Sequence, residues 1–126
     1  MEFKFSQSVC WEERGSLPDA AGVYVISQQA NPVPIYIGLT AEKKGLRGRI
    51  SKFHRSAING VGNHAGGRTF LRLFGADVSD LSLRYHQVED FKFDASLVHA
   101  YVAYVERRLI WEHVEMHGAL PVCNSE

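Results

Sequence analysis

The chain has 126 residues, 45% of them apolar, with 14 basic groups balanced by 14 acidic ones. That is enough for one core and too little for two, and no repeat period or low-complexity tract points to a solenoid or a disordered tail. The opening Met1-Glu2-Phe3-Lys4-Phe5 has no cationic stretch followed by an apolar run, and no later segment is long enough to span a bilayer. The expectation is a single soluble domain over 1–126, non-secreted and cytoplasmic.

Cys10 and Cys123 lie near opposite ends with no CxxC or CxxH spacing, which argues against a structural zinc site and gives a disulfide no support. Residues 22–27, Gly-Val-Tyr-Val-Ile-Ser, are β-branched and aromatic and follow the breaker run Pro18-Asp19-Ala20-Ala21. They predict a strand. Pro32 and Pro34 mark a loop, and Ile35-Tyr36-Ile37-Gly38 predicts a second short strand that pairs with the first as an antiparallel hairpin.

From about Glu42 to Ala57 the period becomes helical, with Leu46, Ile50, Phe53 and Ala57 on one stripe. Residues 42–72 hold Lys43, Lys44, Arg47, Arg49, Lys52, Arg55, Arg68 and Arg72 against Glu42 alone, whereas the segments on either side are net acidic. Such a one-sided cationic segment suits a phosphate backbone, with Lys43, Lys44, Arg47, Lys52, Arg55 and Arg68 as candidate nucleic-acid contacts; a solvated helix face is the alternative. Asn59 to Gly67 then predicts a glycine-rich loop, either a flexible surface loop or a set of N–H groups for a phosphate. A short helix is expected over Thr69–Phe74, and the alternation of Leu81–Val88 predicts a third strand. A long helix follows from about Ala95 to His117, with Asp94 at its N-cap, Gly118 at C′ and Val98, Val102, Val105 and Leu109 on its buried stripe.

Two charged residues stand where packing alone would not put them. Glu106 lies about 40° from Val102 on the helical wheel, bordered by Val105, Leu109 and Ile110. A carboxylate there calls for a metal ion, or for a salt bridge to an Arg from another element. Arg49 flanks the first helix's stripe, roughly 100° from Ile50, where it either reaches inward to a phosphate or extends its stem to solvent. Tyr24 and Tyr36 on adjacent strands can emerge on one face, or pack as ordinary strand aromatics. His99, His113 and His117 share a side of the last helix with Glu106. The seven residues between Glu106 and His113 or His99 span roughly 10 Å, so these histidines are read as structural or surface groups. Trp111, on the polar side, suggests a contact with another element or a partner.

Together these residues resemble the GIY-YIG nuclease superfamily. Gly22-Val23-Tyr24 and Tyr36-Ile37-Gly38 correspond to its two named strands, Thr40 follows the second glycine, and Leu46 with Arg49 matches the start of its first helix. Glu106 before Leu109-Ile110 matches its metal-ligand helix, and Pro121-Val122-Cys123-Asn124 its terminal Pro-x-x-Asn. The matches run in order from 22 to 124.

The resemblance implies an α+β domain, a three-stranded antiparallel sheet flanked by helices, that hydrolyses DNA phosphodiesters with one Mg²⁺ or Mn²⁺. Glu106 would hold the metal, Arg49 the phosphate, one of Tyr24 and Tyr36 would activate water, and Asn124 would help hold the geometry. DNA is the implied partner, RNA remains open, and specificity would come from a protein partner, a homodimer or the structure of the substrate itself. Phe53 occupies the position where many members place His or Tyr, four residues after the Arg. His54 faces about 140° away from Arg49, and His64 is a candidate replacement. Leu39 follows Gly38 near where some members carry a Lys. The alternative function is a nucleic-acid-binding or partner-binding module that keeps the fold without turnover.

Overall fold

The structure is a computed structural model that describes residues 3–89 and 94–124; the outer ends of the expected 1–126 domain and residues 90–93 lie outside it. Its sheet has four antiparallel strands: β1 (Val9–Cys10), β2 (Gly22–Gln28), β3 (Asn31–Thr40) and β4 (Leu81–Gln87), in the spatial order β1-β4-β2-β3. The hairpin forms as expected, pairing Tyr24 with Gly38 and Ile26 with Tyr36.

The structure departs from the sequence expectations in three places. The first is a fourth strand, since β1 pairs Val9 with Leu83 and Cys10 with Ser82; two residues are too few to show a period. The second is that β3 begins at Asn31, so Pro32 and Pro34 lie inside a strand. Because β3 is the edge of the sheet, each proline can lack a ladder N–H without breaking a pair on its free side. The third concerns the helices. Helix α1 spans Gly45–Asn59, but α2 begins at Ala65 rather than Thr69 and runs to Phe74. Gly66 and Gly67, expected in a loop, lie in its first turn, whereas Gly60 and Gly62 stay in the connection.

That early start has a packing reason. A Cβ on Gly67 would lie 2.6 Å from the Phe53 carbonyl oxygen and 2.7 Å from the Ser56 Cβ. The glycine therefore lets α2 approach the α1 backbone more closely than a side chain permits. Helix α3 spans Ala95–His117, and Gly118 at φ 75° ends it with its N–H on the Val114 carbonyl. Asp94 takes the N-cap position, yet its side chain makes no capping hydrogen bond.

Strand alternation divides the core between the two faces of the sheet. On one face Tyr24, Ile26, Leu81 and Leu83 pack with Leu46, Ile50, Phe53 and Ala57 of α1, Phe70 of α2, and Trp11 from the 3₁₀ turn at Trp11–Ser16. On the other, Val23, Val25 and Ile37 pack with Val102 and Val105 of α3. The stripe foreseen on α1 is wholly buried, its Leu46, Ile50 and Phe53 side chains each contributing roughly 1.5–3 kcal/mol. On α3, Val98 and Leu109 are only partly covered. Cys10 is exposed, Cys123 buried, and both are free thiols. Among the described residues no helix is long and apolar enough to cross a membrane.

Substituting Gly67→Ala forces α1 and α2 apart and should cost about 1–3 kcal/mol in urea denaturation. Gly15→Ala, where an added Cβ meets nothing within 4 Å, should change stability little; equal effects at the two sites would refute the close-approach explanation.

Candidate active site

The hairpin brings the two tyrosines together on the α1–α2 face, their rings 5.9 Å apart and tilted. The small residue between them in the ladder is what makes room. A Cβ on Gly38 would sit 2.5 Å from the Tyr24 ring and hydroxyl and 2.7 Å from the Tyr36 ring, so both phenols lie over a strand backbone with no side chain at that point. Tyr24 is wholly buried and Tyr36 partly exposed.

Arg49 on α1 lies close enough for its charge to act on both phenols; its side chain is 27% exposed and the Glu42 carboxylate is 3.9 Å away. Burial pushes the Tyr24 phenol well above its ordinary pKa; the charge of Tyr36 adds to the rise, while Arg49 opposes it through charge and a hydrogen bond. Burial also raises Tyr36, with Arg49 opposing and Glu106 adding to the rise. Arg49 is therefore the cation that both phenols feel, and Glu106 the anion that reaches Tyr36.

Glu106 itself is partly buried on α3, and burial raises its carboxyl pKa, with only adjacent Arg107 opposing. Among the described residues it has no ion-pair or hydrogen-bond partner, so the salt bridge that the sequence left open does not form among them. An underused half-buried carboxylate fits one hard divalent cation completed by water. Among the described residues no three His, Cys, Asp or Glu converge as a larger cage.

Asn124 fixes the edge. Its Oδ1 accepts from the Ile37 N–H and its Nδ2 donates to the Ile37 carbonyl, each at 2.8 Å. The side-chain amide thus supplies the strand contact that the free edge of β3 lacks, beside Tyr36. It acts as a clamp on the strand that carries the phenol.

Phe53 is fully buried, its ring 5.8 Å from Tyr36, 5.2 Å from His64 and 5.6 Å from Trp11. His54 turns away as expected. It meets the Trp11 indole N–H at 3.0 Å and the Arg14 guanidinium at 3.0 Å. His64, by contrast, is fully buried and bonded to the Tyr24 hydroxyl at 2.9 Å. It is the side chain that position alone could not assign. The available signal was a histidine immediately before Ala65-Gly66-Gly67, at what proves to be a helix N-cap.

The cationic candidates are exposed or partly exposed around α1 and the start of α2. Arg47 is paired with Asp19 at 2.6 Å and Lys52 with Glu42 at 3.6 Å. Lys43, Lys44 and Arg55 are exposed, and Arg68 reaches the Gly62 carbonyl at 3.5 Å. Lys52 and Arg68 both lie near enough for their charge to act on His64. On α3, His113 is buried against the Ala119 carbonyl, whereas His99, His117 and Trp111 are exposed.

No protein-family model matches the sequence, and no curated protein does. Solved structures do. The GIY-YIG N-terminal endonuclease domain of UvrC from Thermotoga maritima, as a tyrosine-to-phenylalanine point mutant bound to its catalytic divalent cation, superposes with a TM-score of 0.53 at 22% identity. The match covers 91% of this chain and 93% of that one. A second tyrosine mutant of that domain gives 0.52 at 20% identity with the same coverage. The same domain with magnesium as its catalytic divalent cation gives 0.50 at 22%, covering 81% and 86%. The likeness extends over nine-tenths of both chains, and this protein, an antiparallel sheet flanked by helices, has the fold of that GIY-YIG domain.

Proposed function

We propose that the protein is a metal-dependent endonuclease that hydrolyses DNA phosphodiester bonds with one Mg²⁺ or Mn²⁺. The observation that carries this reading is that the charges of Arg49 and Glu106 both act on the Tyr36 phenol beside Tyr24, while Glu106 has no ion-pair partner among the described residues.

A phosphodiester resists hydrolysis because it is anionic and its leaving oxygen is poor. Arg49 would hold a phosphate oxygen with its planar donors and offset the charge that develops there. Tyr36, partly exposed, would take the proton from the attacking water, whereas Tyr24 is wholly buried. Glu106 would hold the cation. When bound, that ion supplies charge neutralisation at the scissile phosphate and at the departing 3′ oxygen. Asn124 would keep Tyr36 in register through its clamp on Ile37. Lys43, Lys44, Arg47, Lys52, Arg55 and Arg68 would carry the flanking phosphates, RNA remaining an open substrate. A protein partner or a second copy would add target choice. One observation favours a binding module instead: Phe53 fills the expected proton-exchanging position with a buried apolar ring.

The two readings separate on a panel of plasmid, single-stranded and branched DNA with Mg²⁺, Mn²⁺ or EDTA. The nuclease cuts with either metal and not with EDTA, and Glu106→Gln or Arg49→Ala lowers the rate by at least about 100-fold in a folded chain. Salt-sensitive retention without product, weakened by changing Lys52 or Arg55, would establish the binding module.

Metal loading has its own thermal readout. Because burial raises the Glu106 pKa, its ionised form opposes folding, and that opposition grows as pH rises from the unfolded carboxyl value through the raised folded one. Metal-free Glu106→Gln should therefore melt at or above the wild-type temperature at pH 7. Mg²⁺ should raise the melting temperature of the wild type alone.

Proton removal by Tyr36 predicts an alkaline-rising rate. Its pKa lies above the usual phenol value, so single-turnover cleavage should climb about tenfold per pH unit from 6.5 to 9. Tyr36→Phe should abolish the climb, and an unchanged slope in that variant would remove Tyr36 from the role.

A further inference from the structure

His64 stands at a junction of α1, α2 and the hairpin. Its backbone N–H donates to the Ser56 hydroxyl at 3.2 Å, and that hydroxyl donates to the Val61 carbonyl at 2.9 Å. Its ring Nδ1 accepts from the Gly67 N–H at 3.2 Å, capping α2. Its Nε2 lies 2.9 Å from the Tyr24 hydroxyl. The ring packs edge-on against Tyr36 at 5.3 Å and Phe53 at 5.2 Å.

The cap decides the direction of the second bond. A backbone N–H can only donate, so Nδ1 is a lone pair, and a neutral imidazole then carries its hydrogen on Nε2. Burial, then the charges of Arg49, Lys52 and Arg68, hold His64 down to about 3, so the ring is neutral wherever the protein is folded near neutrality. Nε2–H therefore donates to the Tyr24 oxygen. The Arg49 charge acts on the Tyr24 hydroxyl as well. With the imidazole donating to its oxygen, the Tyr24 hydroxyl keeps its own hydrogen for another acceptor, and the Tyr36 ring stands beside it at 5.9 Å.

From this geometry we infer that His64 is a positioning residue. By capping α2 through Nδ1 and donating through Nε2 it aims the Tyr24 hydroxyl at Tyr36, and so replaces from a second helix the polar group that Phe53 does not supply. The inference deepens the nuclease reading and rests on it for its catalytic consequence. The chain Gly67 N–H, His64 Nε2–H, Tyr24 O–H has one polarity, and the Tyr36 phenol stands beside its end. When Tyr36 takes a proton from water its O–H forms, and no proton moves through His64, which stays neutral. His64 therefore stabilises the ionised state of Tyr36 through Tyr24 and touches no reacting atom.

Two amide substitutions divide the two functions of the ring. His64→Asn places an amide near the Nδ1 position and keeps the cap without reaching Tyr24. His64→Gln reaches the Nε2 position and can donate to Tyr24 but caps α2 poorly. The expected result crosses over: Asn is the more stable variant, yet Gln is the more active. For Asn, kcat falls roughly 10- to 100-fold with KM for DNA little changed, and the alkaline rise shifts to higher pH. A merely structural His64 would make activity follow stability, with Asn ahead of Gln, and that order would overturn the inference.

A second measurement needs no turnover. In the full chain with ¹⁵N-labelled histidine, long-range ¹H–¹⁵N spectra should show His64 as the Nε2–H form, unchanged between pH 5.5 and 8.5. An Nδ1–H ring in a chain that cuts DNA would overturn this inference alone. A wild-type chain that cuts nothing, with His64 still Nε2–H, would instead overturn the nuclease reading and the catalytic consequence with it.

Discussion

A phenol oxygen buried in an apolar core must be hydrogen-bonded, because leaving it unpaired costs on the order of 1–3 kcal/mol. Tyr24 places such an oxygen where α1, α2 and the hairpin meet. The surrounding design answers that demand. Arg49 comes from α1 and His64 from the start of α2, and the bare backbones of Gly38 and Gly67 let the strand and the helices close on the rings. The same contacts that satisfy a core polar atom also bring a guanidinium beside two phenols. Stability and the candidate chemistry share one set of bonds here, and a variant of Tyr24 will disturb both.

The opposite face of the sheet supplies what this cluster lacks. Helix α3 buries Val102 and Val105 against β2 and β3 and carries Glu106 at the margin of that contact. The carboxylate is desolvated enough to raise its pKa and close enough for its charge to act on Tyr36. Since β3 is an edge strand, groups from both faces can meet around it, and Asn124 occupies the edge's own hydrogen-bonding groups at Ile37. An edge is normally a liability for aggregation. In this protein it is where the charge of Glu106, from one face, reaches Tyr36 on the other.

Much of this was legible in the sequence wherever a residue broke a strong local period. Arg49 and Glu106 stood out as charges bordering apolar stripes, and the structure gives both the partly buried positions that the helical wheel implied. Helix α3 was bounded to the residue by its Gly118 signal. The misses share a cause in tertiary context. Prolines read as a loop because nothing local reveals that β3 lies at an edge. Gly66 and Gly67 read as loop because their purpose is to admit Tyr36 and the α1 backbone, neither adjacent in sequence. Strand β1 exists only through its pairing with β4.

The hardest feature to read was the bond between His64 and Tyr24, which joins residues forty positions apart. Position-by-position comparison registers a loss at Phe53, since phenylalanine cannot exchange a proton. Three-dimensional packing registers a transfer. The Phe53 ring, buried between Trp11, Tyr36, Phe70 and His64, fills volume on α1, and the imidazole beside it brings the polar atom in from α2. The two helices touch closely at Gly67, which sets the N-cap imidazole of α2 5.2 Å from the Phe53 ring of α1. A site of this kind is defined by which atoms reach the phenols, and the helix that delivers them is free to change provided the interhelical contact is kept.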